Sequence, residues 1–365
     1  MMLAFVRNAA FAAIVIIGAI GAAPHAGAST NQAAIEAYNQ GVEAYNAKRW
    51  PAAIAAYTRA AKLDPSFAAA YRNRGTAYKA AGQYSAAIDD FTSALKLDPA
   101  DEATYVYRGW ARSASGNAYN RPSDYEDALS DAIKALSMDP SDASAYILRG
   151  RSLYGLGRYA EALTALGKGI SLDPHDIDGY NFRSLVYLDS CRNVAAITDL
   201  TSAITITDTS TFRNNRGIAY LRTHTYDMAL ADFTQAIALD PKSAEPHLNR
   251  GLYYVHVKDY ALARADYDAS IALDPMSSIA YLDRALLFES QKRYIAALSD
   301  INYAIQKGPE LFDASGPIAI GEGGTNLYRI RARIFTSLGR PDAAKSDLAE
   351  AAKKKSGKTK CPTGV

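Results

Sequence analysis

The chain has 365 residues, 49% of them hydrophobic and 21% charged, a balance that excludes wholesale disorder. Forty Lys and Arg oppose 38 Asp and Glu for a formal charge of +2, which gives no support to nucleic-acid binding. Two cysteines are too few for a disulfide framework, although a bridge between Cys191 and Cys361, or one to another chain through Cys361, stays open.

At the N-terminus, Arg7 is followed by an apolar run from Ala9 to Ala23 and then by Ala26-Gly27-Ala28, the small-x-small pattern of a signal-peptidase site. The pattern predicts a signal peptide over residues 1–28, cleaved after Ala28, and a periplasmic or secreted protein. The alternative is an uncleaved N-terminal anchor, against which fifteen apolar residues rich in Ala and Gly fall short of a bilayer span. Cleavage removes one base and no acid, so Lys plus Arg falls to 39 against 38 and the charge becomes +1.

Beyond residue 28 the chain repeats. Pro65, Pro99, Pro140, Pro174, Pro241, Pro275 and Pro309 recur at 34 residues or at 34 plus an insertion, each after the same structural interval. Counting back gives repeat starts at Ala34, Ala68, Glu102, Ala143, Ile177, Ser210, Ala244 and Ser278, and a ninth without Pro at Thr325. Position 8 is always small (Gly41, Gly75, Gly109, Gly150, Ser184, Gly217, Gly251, Ala285, Ala332). Position 20 is always Ala, from Ala53 and Ala87 to Ala344. Two small residues facing each other let antiparallel helices approach closely. Trp50, Tyr84, Tyr125, Tyr159, Tyr226, Tyr260 and Tyr294 open the second helix at position 17, and Pro at position 32 ends it.

These positions resemble the tetratricopeptide repeat, and Ala68 to Asp101 matches nearly throughout (Tyr71, Gly75, Tyr78, Gly82, Tyr84, Ala87, Phe91, Ala94, Pro99). The resemblance covers roughly Ala34 to Lys354. It implies an all-α, right-handed α-solenoid of stacked antiparallel helix pairs. The expected organisation is therefore a signal peptide at 1–28, eight repeats over 34–309, a Gly-rich insertion at 310–324, a ninth repeat at 325–354 and a basic disordered tail at 355–365. In repeat 3, about seven extra residues within Ser115 to Ser123 are expected to lengthen the turn between its helices.

Position 7, commonly Leu in the family, is Arg in eight repeats, and position 23 is Asp in seven. Repeat 1 has neither (Gln40, Ala56), repeat 4 has Arg149 with Ala165, and every other repeat has both. The joint occurrence predicts structural pairs across the helices of one repeat: Arg74 with Asp90, Arg108 with Asp131, Arg183 with Asp199, Arg216 with Asp232, Arg250 with Asp266, Arg284 with Asp300, and Arg331 with Asp347. The alternative is that these Arg residues face a groove and hold acidic ligands.

No motif points to catalysis. Gly155-Leu-Gly157 fits a dinucleotide fingerprint on paper, but no strand precedes it and Gly157 is a repeat turn. Gly357-Lys358-Thr359 lacks the partner glycine of a phosphate loop. His25, His175, His224, His247 and His256 have no metal spacing. The reading is no enzyme, no cofactor and no metal.

What remains is surface. The resemblance implies that positions 2, 5, 9, 12 and 13 of each first helix line a concave groove for a protein or peptide partner, here including Tyr38, Tyr45, Arg72, Thr76, Lys79, Val106, Trp110, Ile147, Arg151, Asn181, Asn214, Leu248 and Leu252. The Lys and Asn of the family's carboxylate clamp are replaced by Tyr38 and Val42, against that mode of binding. The leading expectation is an exported scaffold for protein–protein interaction, with no nucleic acid and no membrane contact after cleavage. An accessory subunit of a cell-envelope glycan-processing system and a self-associating homo-oligomeric array are the alternatives.

Overall fold

The computed structural model describes residues 29–307 and 327–353; the expected signal segment 1–28, the insertion 310–324 and the tail 355–365 lie outside them. Among the described residues every regular element is a helix, and the helices come in pairs. They are α1 (Gln32–Asn46) and α2 (Trp50–Leu63), α3 (Ala68–Ala80) and α4 (Tyr84–Leu97), α5 (Glu102–Tyr119) and α6 (Pro122–Met138), α7 (Ala143–Gly155) and α8 (Tyr159–Leu172), and α9 (Ile177–Asp189) and α10 (Asn193–Ile206). There follow α11 (Ser210–Arg222) and α12 (Tyr226–Leu239), α13 (Ala244–His256) and α14 (Tyr260–Leu273), α15 (Ser278–Ser290) and α16 (Tyr294–Lys307), and α17 (Leu327–Ser337) and α18 (Pro341–Lys353).

The chain divides into two compact units, the first ending at Phe182 and the second beginning at Arg183. In the first, α1 to α7 each pack on the next helix, α7 packs on α8, and the odd helices also touch directly, α1 with α3, α3 with α5 and α5 with α7. The even helices make no comparable contacts, so this stack curves with its odd helices on the inner face. In the second unit α11 touches α13 and α13 touches α15, giving the same layering. The fold of each unit is thus an α-solenoid of antiparallel hairpins.

Local chemistry explains both turns of the repeat. Between hairpins, the residue before Pro is driven into extended backbone, and Asp64, Asp98, Asp139, Asp173, Asp240 and Asp274 each accept the amide two residues on, at 2.8–3.1 Å. Within hairpins, position 15 is left-handed whether it is Gly82 (φ 73°), Lys48 (φ 56°) or Lys292 (φ 59°). The next amide then closes onto a carbonyl five residues back, as Gln83 does on Tyr78 at 2.9 Å. Cys191 takes this place in its repeat and is disulfide-bonded; the chain's other cysteine, Cys361, lies outside the described residues.

Repeat 3 departs from the expectation of a longer turn. Its helices grow instead, α5 to 18 residues and α6 to 17 where α3 and α4 have 13 and 14. The turn shrinks to left-handed Asn120 (φ 52°) and Arg121. Pro122 stands at the first position of α6, where no amide is needed.

The core is a seam of small residues against large ones. Ala at position 20 is buried in every described hairpin. Five of the six position 8 glycines abut the side chain at position 24: a Cβ on Gly41 would meet the Tyr57 ring at 2.5 Å, on Gly217 the Phe233 ring at 2.6 Å, and on Gly150 the Leu166 Cγ at 2.4 Å, whereas on Gly109 it would meet Leu148 of the next repeat at 2.4 Å.

Candidate functional site

The seven Arg and Asp positions that occur together form bidentate ion pairs. In the first unit, Arg74 donates from Nε and Nη2 to the two oxygens of Asp90, both at 2.7 Å, and Arg108 does the same to Asp131 at 3.1 and 2.7 Å. In the second, Arg183 pairs with Asp199, Arg216 with Asp232, Arg250 with Asp266, Arg284 with Asp300 and Arg331 with Asp347, all within 2.7–2.9 Å. These guanidiniums are bonded across the two helices of their own hairpin.

Rungs also reach the preceding repeat. Arg74 Nη1 donates to Thr58, Arg108 to Thr92, Arg216 to Thr201, Arg284 to Asp268 and Arg331 to Asn302. One Arg therefore ties three helices, its own hairpin's two and the second helix of the hairpin before. Tyr71, Tyr105, Tyr281 and Tyr328 at position 4 lie under the guanidiniums at 5.3–5.5 Å. Where position 4 is polar, it adds to the rung: Arg213 donates to Asp232 at 3.0 Å and His247 bonds Asp266 at 3.0 Å.

The inner face of the first unit holds a pocket of about 260 Å³ lined by Val42, Tyr45, Asn46, Tyr57, Arg72, Asn73, Thr76, Lys79, Ala103 and Tyr107. Four of the residues expected in a groove, Tyr45, Arg72, Thr76 and Lys79, come together there. Arg72 is held by Asp101 at 2.7 Å, the same carboxylate that caps α5. Lys79 makes no hydrogen bond or ion pair with a described residue; desolvation holds its ammonium below the ordinary lysine range, offset in part by the charge of Asp178.

Further along this face, Trp110, Arg151 and Phe182 form a second group. The Trp110 and Phe182 rings are 5.8 Å apart, and the Arg151 guanidinium lies 4.6 Å from the Phe182 centroid and donates from Nε to Ser113 at 2.7 Å. Asn181, on the same helix as Phe182, is half-buried.

The remaining groove expectations meet a different environment. Tyr38, Val106, Ile147, Asn214 and Leu252 are buried, and a partner on the surface does not reach them. Tyr38 accepts from Asn73 at 2.6 Å and Asn214 from Asn249 at 2.9 Å, because position 5 packs on position 6 of the next repeat. Asn73 and Tyr107, both at position 6, are pocket residues that the five expected positions miss. The recurrence of Asn there, at Asn39, Asn73, Asn215 and Asn249, was the available signal.

Among the described residues no group of three or more His, Cys, Asp or Glu is placed to hold a metal, and no helix is long and apolar enough to cross a membrane. Acids do cluster where repeats 3 and 4 meet: burial, with Asp142, Asp139 and Asp101 nearby, pushes Glu102 up to about 8.

Two tetratricopeptide-repeat profiles match the chain, one over residues 43–108 and the other over 113–177, 214–275 and 248–311. No curated protein matches. Among solved structures, a tetratricopeptide repeat protein from Parabacteroides merdae is similar at 16% identity and a TM-score of 0.55, covering 70% of this chain and 99% of that one. The APC/C hetero-tetramer Cut9–Hcn1 gives 12% identity and a TM-score of 0.51 over 88% of this chain and 81% of that one. PilW, a type IV pilus biogenesis factor, gives 18% identity and 0.51 over 58% and 93%. These likenesses are of fold.

Proposed function

Because the chain belongs to the tetratricopeptide-repeat family, whose members serve as scaffolds for protein–protein interaction, we propose that it is an exported scaffold that holds a partner polypeptide on the inner face of its first unit. The observation that carries this reading is Lys79: an ammonium withdrawn from water, without a hydrogen-bond acceptor in the described fold, at a pocket walled by Tyr45 and Tyr107. A partly desolvated cation between aromatic walls is suited to an acidic side chain on an extended peptide, and Tyr, Trp and Arg are the residues that anchor interfaces. Trp110 and Arg151 continue the surface.

Export is supported by Arg7, the apolar run and Ala26-Gly27-Ala28. The bonded state of Cys191 suits an oxidising compartment. The mature chain is expected to begin at Ser29 in a periplasmic or secreted fraction; a cytosolic chain that keeps its first 28 residues would end the export reading. Lys79→Met, which removes the charge and breaks no hydrogen bond among the described residues, is expected to weaken capture of the partner polypeptide about tenfold while thermal stability is kept. Undiminished capture contradicts the inner-face assignment.

A further inference from the structure

The inner face of the second unit repeats the pocket positions of the first with the charge inverted. Where repeat 2 has Arg72 and Lys79 at positions 5 and 12, repeat 8 has Leu282 and Glu289, and where repeat 2 has Asn73 at position 6, repeat 8 has Asp283. Glu289 is answered, since both of its oxygens accept from Arg333, at 3.1 and 2.9 Å. Asp283 has no such partner. No hydrogen bond or ion pair with a described residue reaches it, and desolvation alone pushes its carboxyl up to about 7.

The sequence explains why. The side chain at position 6 packs on position 5 of the preceding repeat, where Asn73 donates to Tyr38 and Asn249 to Asn214. For Asp283 that place is taken by Leu248, which has no donor. The cations on α15 and on the helices packed against it are engaged elsewhere: Arg250 and His247 with Asp266, Arg264 with Asp268, and Arg284 with Asp268 and Asp300. Lys307 lies over the Tyr303 ring and His256 beside Tyr226. Asp283 is nevertheless only partly buried, as are Asn73 and Tyr107, the position 6 residues that line the first unit's pocket.

We propose that Asp283 anchors a second docking site, on the inner face of the second unit, for a lysine side chain of a partner polypeptide, with the ammonium on the carboxylate and the hydrocarbon stem along Leu248. The choice of occupant follows from charge and shape. A carboxylate in apolar surroundings pays a desolvation cost that an arriving cation offsets, and a lysine stem can lie along an apolar wall while its head reaches the acid. A metal ion would need more ligands, and among the described residues no group of three or more His, Cys, Asp or Glu is placed to hold one. The site is separate from the first unit's pocket, whose lining ends at Tyr107.

The test follows the Asp283 carboxyl carbon resonance of the mature chain at pH 8, where the group is ionised, while adding a capped Leu-Lys-Leu peptide, with the capped Leu-Gln-Leu peptide as control. The Lys peptide is expected to move the signal with millimolar affinity, and the Gln peptide to bind about tenfold more weakly. Asp283→Asn places at position 6 the residue that repeats 2 and 7 already carry there, so the fold is kept. In that variant, affinities measured by calorimetry are expected to show no preference for Lys over Gln. Equal responses to both peptides, no response to the Lys peptide, or a Lys preference that survives Asp283→Asn would overturn the proposal. Lys79→Met is expected to leave the Asp283 response unchanged, so failure here is distinct from failure of the reading for the first unit.

Discussion

Arg74→Ala is expected to cost about 2–3 kcal/mol of stability in urea unfolding, and the loss is expected to shrink as pH is lowered. The variant strands Asp90, whose side chain is 8% exposed and whose only ion-pair partner among the described residues is Arg74, itself 16% exposed. That residual exposure places the expected loss below the 3–5 kcal/mol typical of a fully buried pair. Burial already pushes the Asp90 carboxyl above its ordinary value against the opposing pull of Arg74, and removing Arg74 pushes it further. A carboxyl whose folded pKa lies above the unfolded one favours folding at low pH and loses that contribution as pH rises through the folded value. The deficit of Arg74→Ala relative to wild type is therefore full at neutral pH and smallest in acid. Asp90→Ala leaves a cation that can turn to water and Thr58, and is expected to cost about 1–2 kcal/mol with no such pH dependence. The double variant is expected to lose about what Arg74→Ala loses alone, a coupling of about 1–2 kcal/mol. Additive losses would show that the two residues do not stabilise each other.

Gly150→Val is expected to destabilise the first unit by about 3 kcal/mol, for a reason unrelated to glycine's flexibility. The added Cβ alone would lie 2.4 Å from Leu166 Cγ, 2.8 Å from its Cδ2 and 3.2 Å from its backbone nitrogen. Leu166 is fully buried, so it has no empty space to turn into, and α7 must move off α8. Gly82→Ala is the contrast. Nothing lies within 4 Å of its would-be Cβ, and the cost is confined to a left-handed backbone at φ 73°, about 1 kcal/mol. Thermal unfolding of both variants separates the two effects, and equal losses would contradict the packing argument. In a repeat array such damage is passed chiefly to neighbouring hairpins.

Much of the fold was legible because its determinants are local. Asp-Pro stops a helix wherever it occurs, and a small residue opposite Ala permits close approach in every hairpin. Repeat 3 misled because an insertion of about seven residues can lengthen either a turn or the two helices beside it. Gly116 lies where a Cβ would meet the Tyr125 ring at 3.1 Å, and Pro122 opens α6. Relations between neighbouring repeats were harder to read. That Arg and Asp appear together is visible in the sequence, but that Thr58 and Thr92 complete the rungs depends on how one hairpin is rotated on the next. The same rotation buries Tyr38 and Ile147 while bringing Asn73 and Tyr107 into the pocket.

The inner-face assignment is tested most directly by site-specific photo-cross-linking in the cell compartment where the mature chain resides. A benzophenone side chain at Thr76, in the pocket, is expected to give a discrete partner adduct, and one at Lys96, exposed on the outer helix α4, is expected to give none. An adduct from Lys96 with none from Thr76 would place the partner on the opposite face and contradict the account.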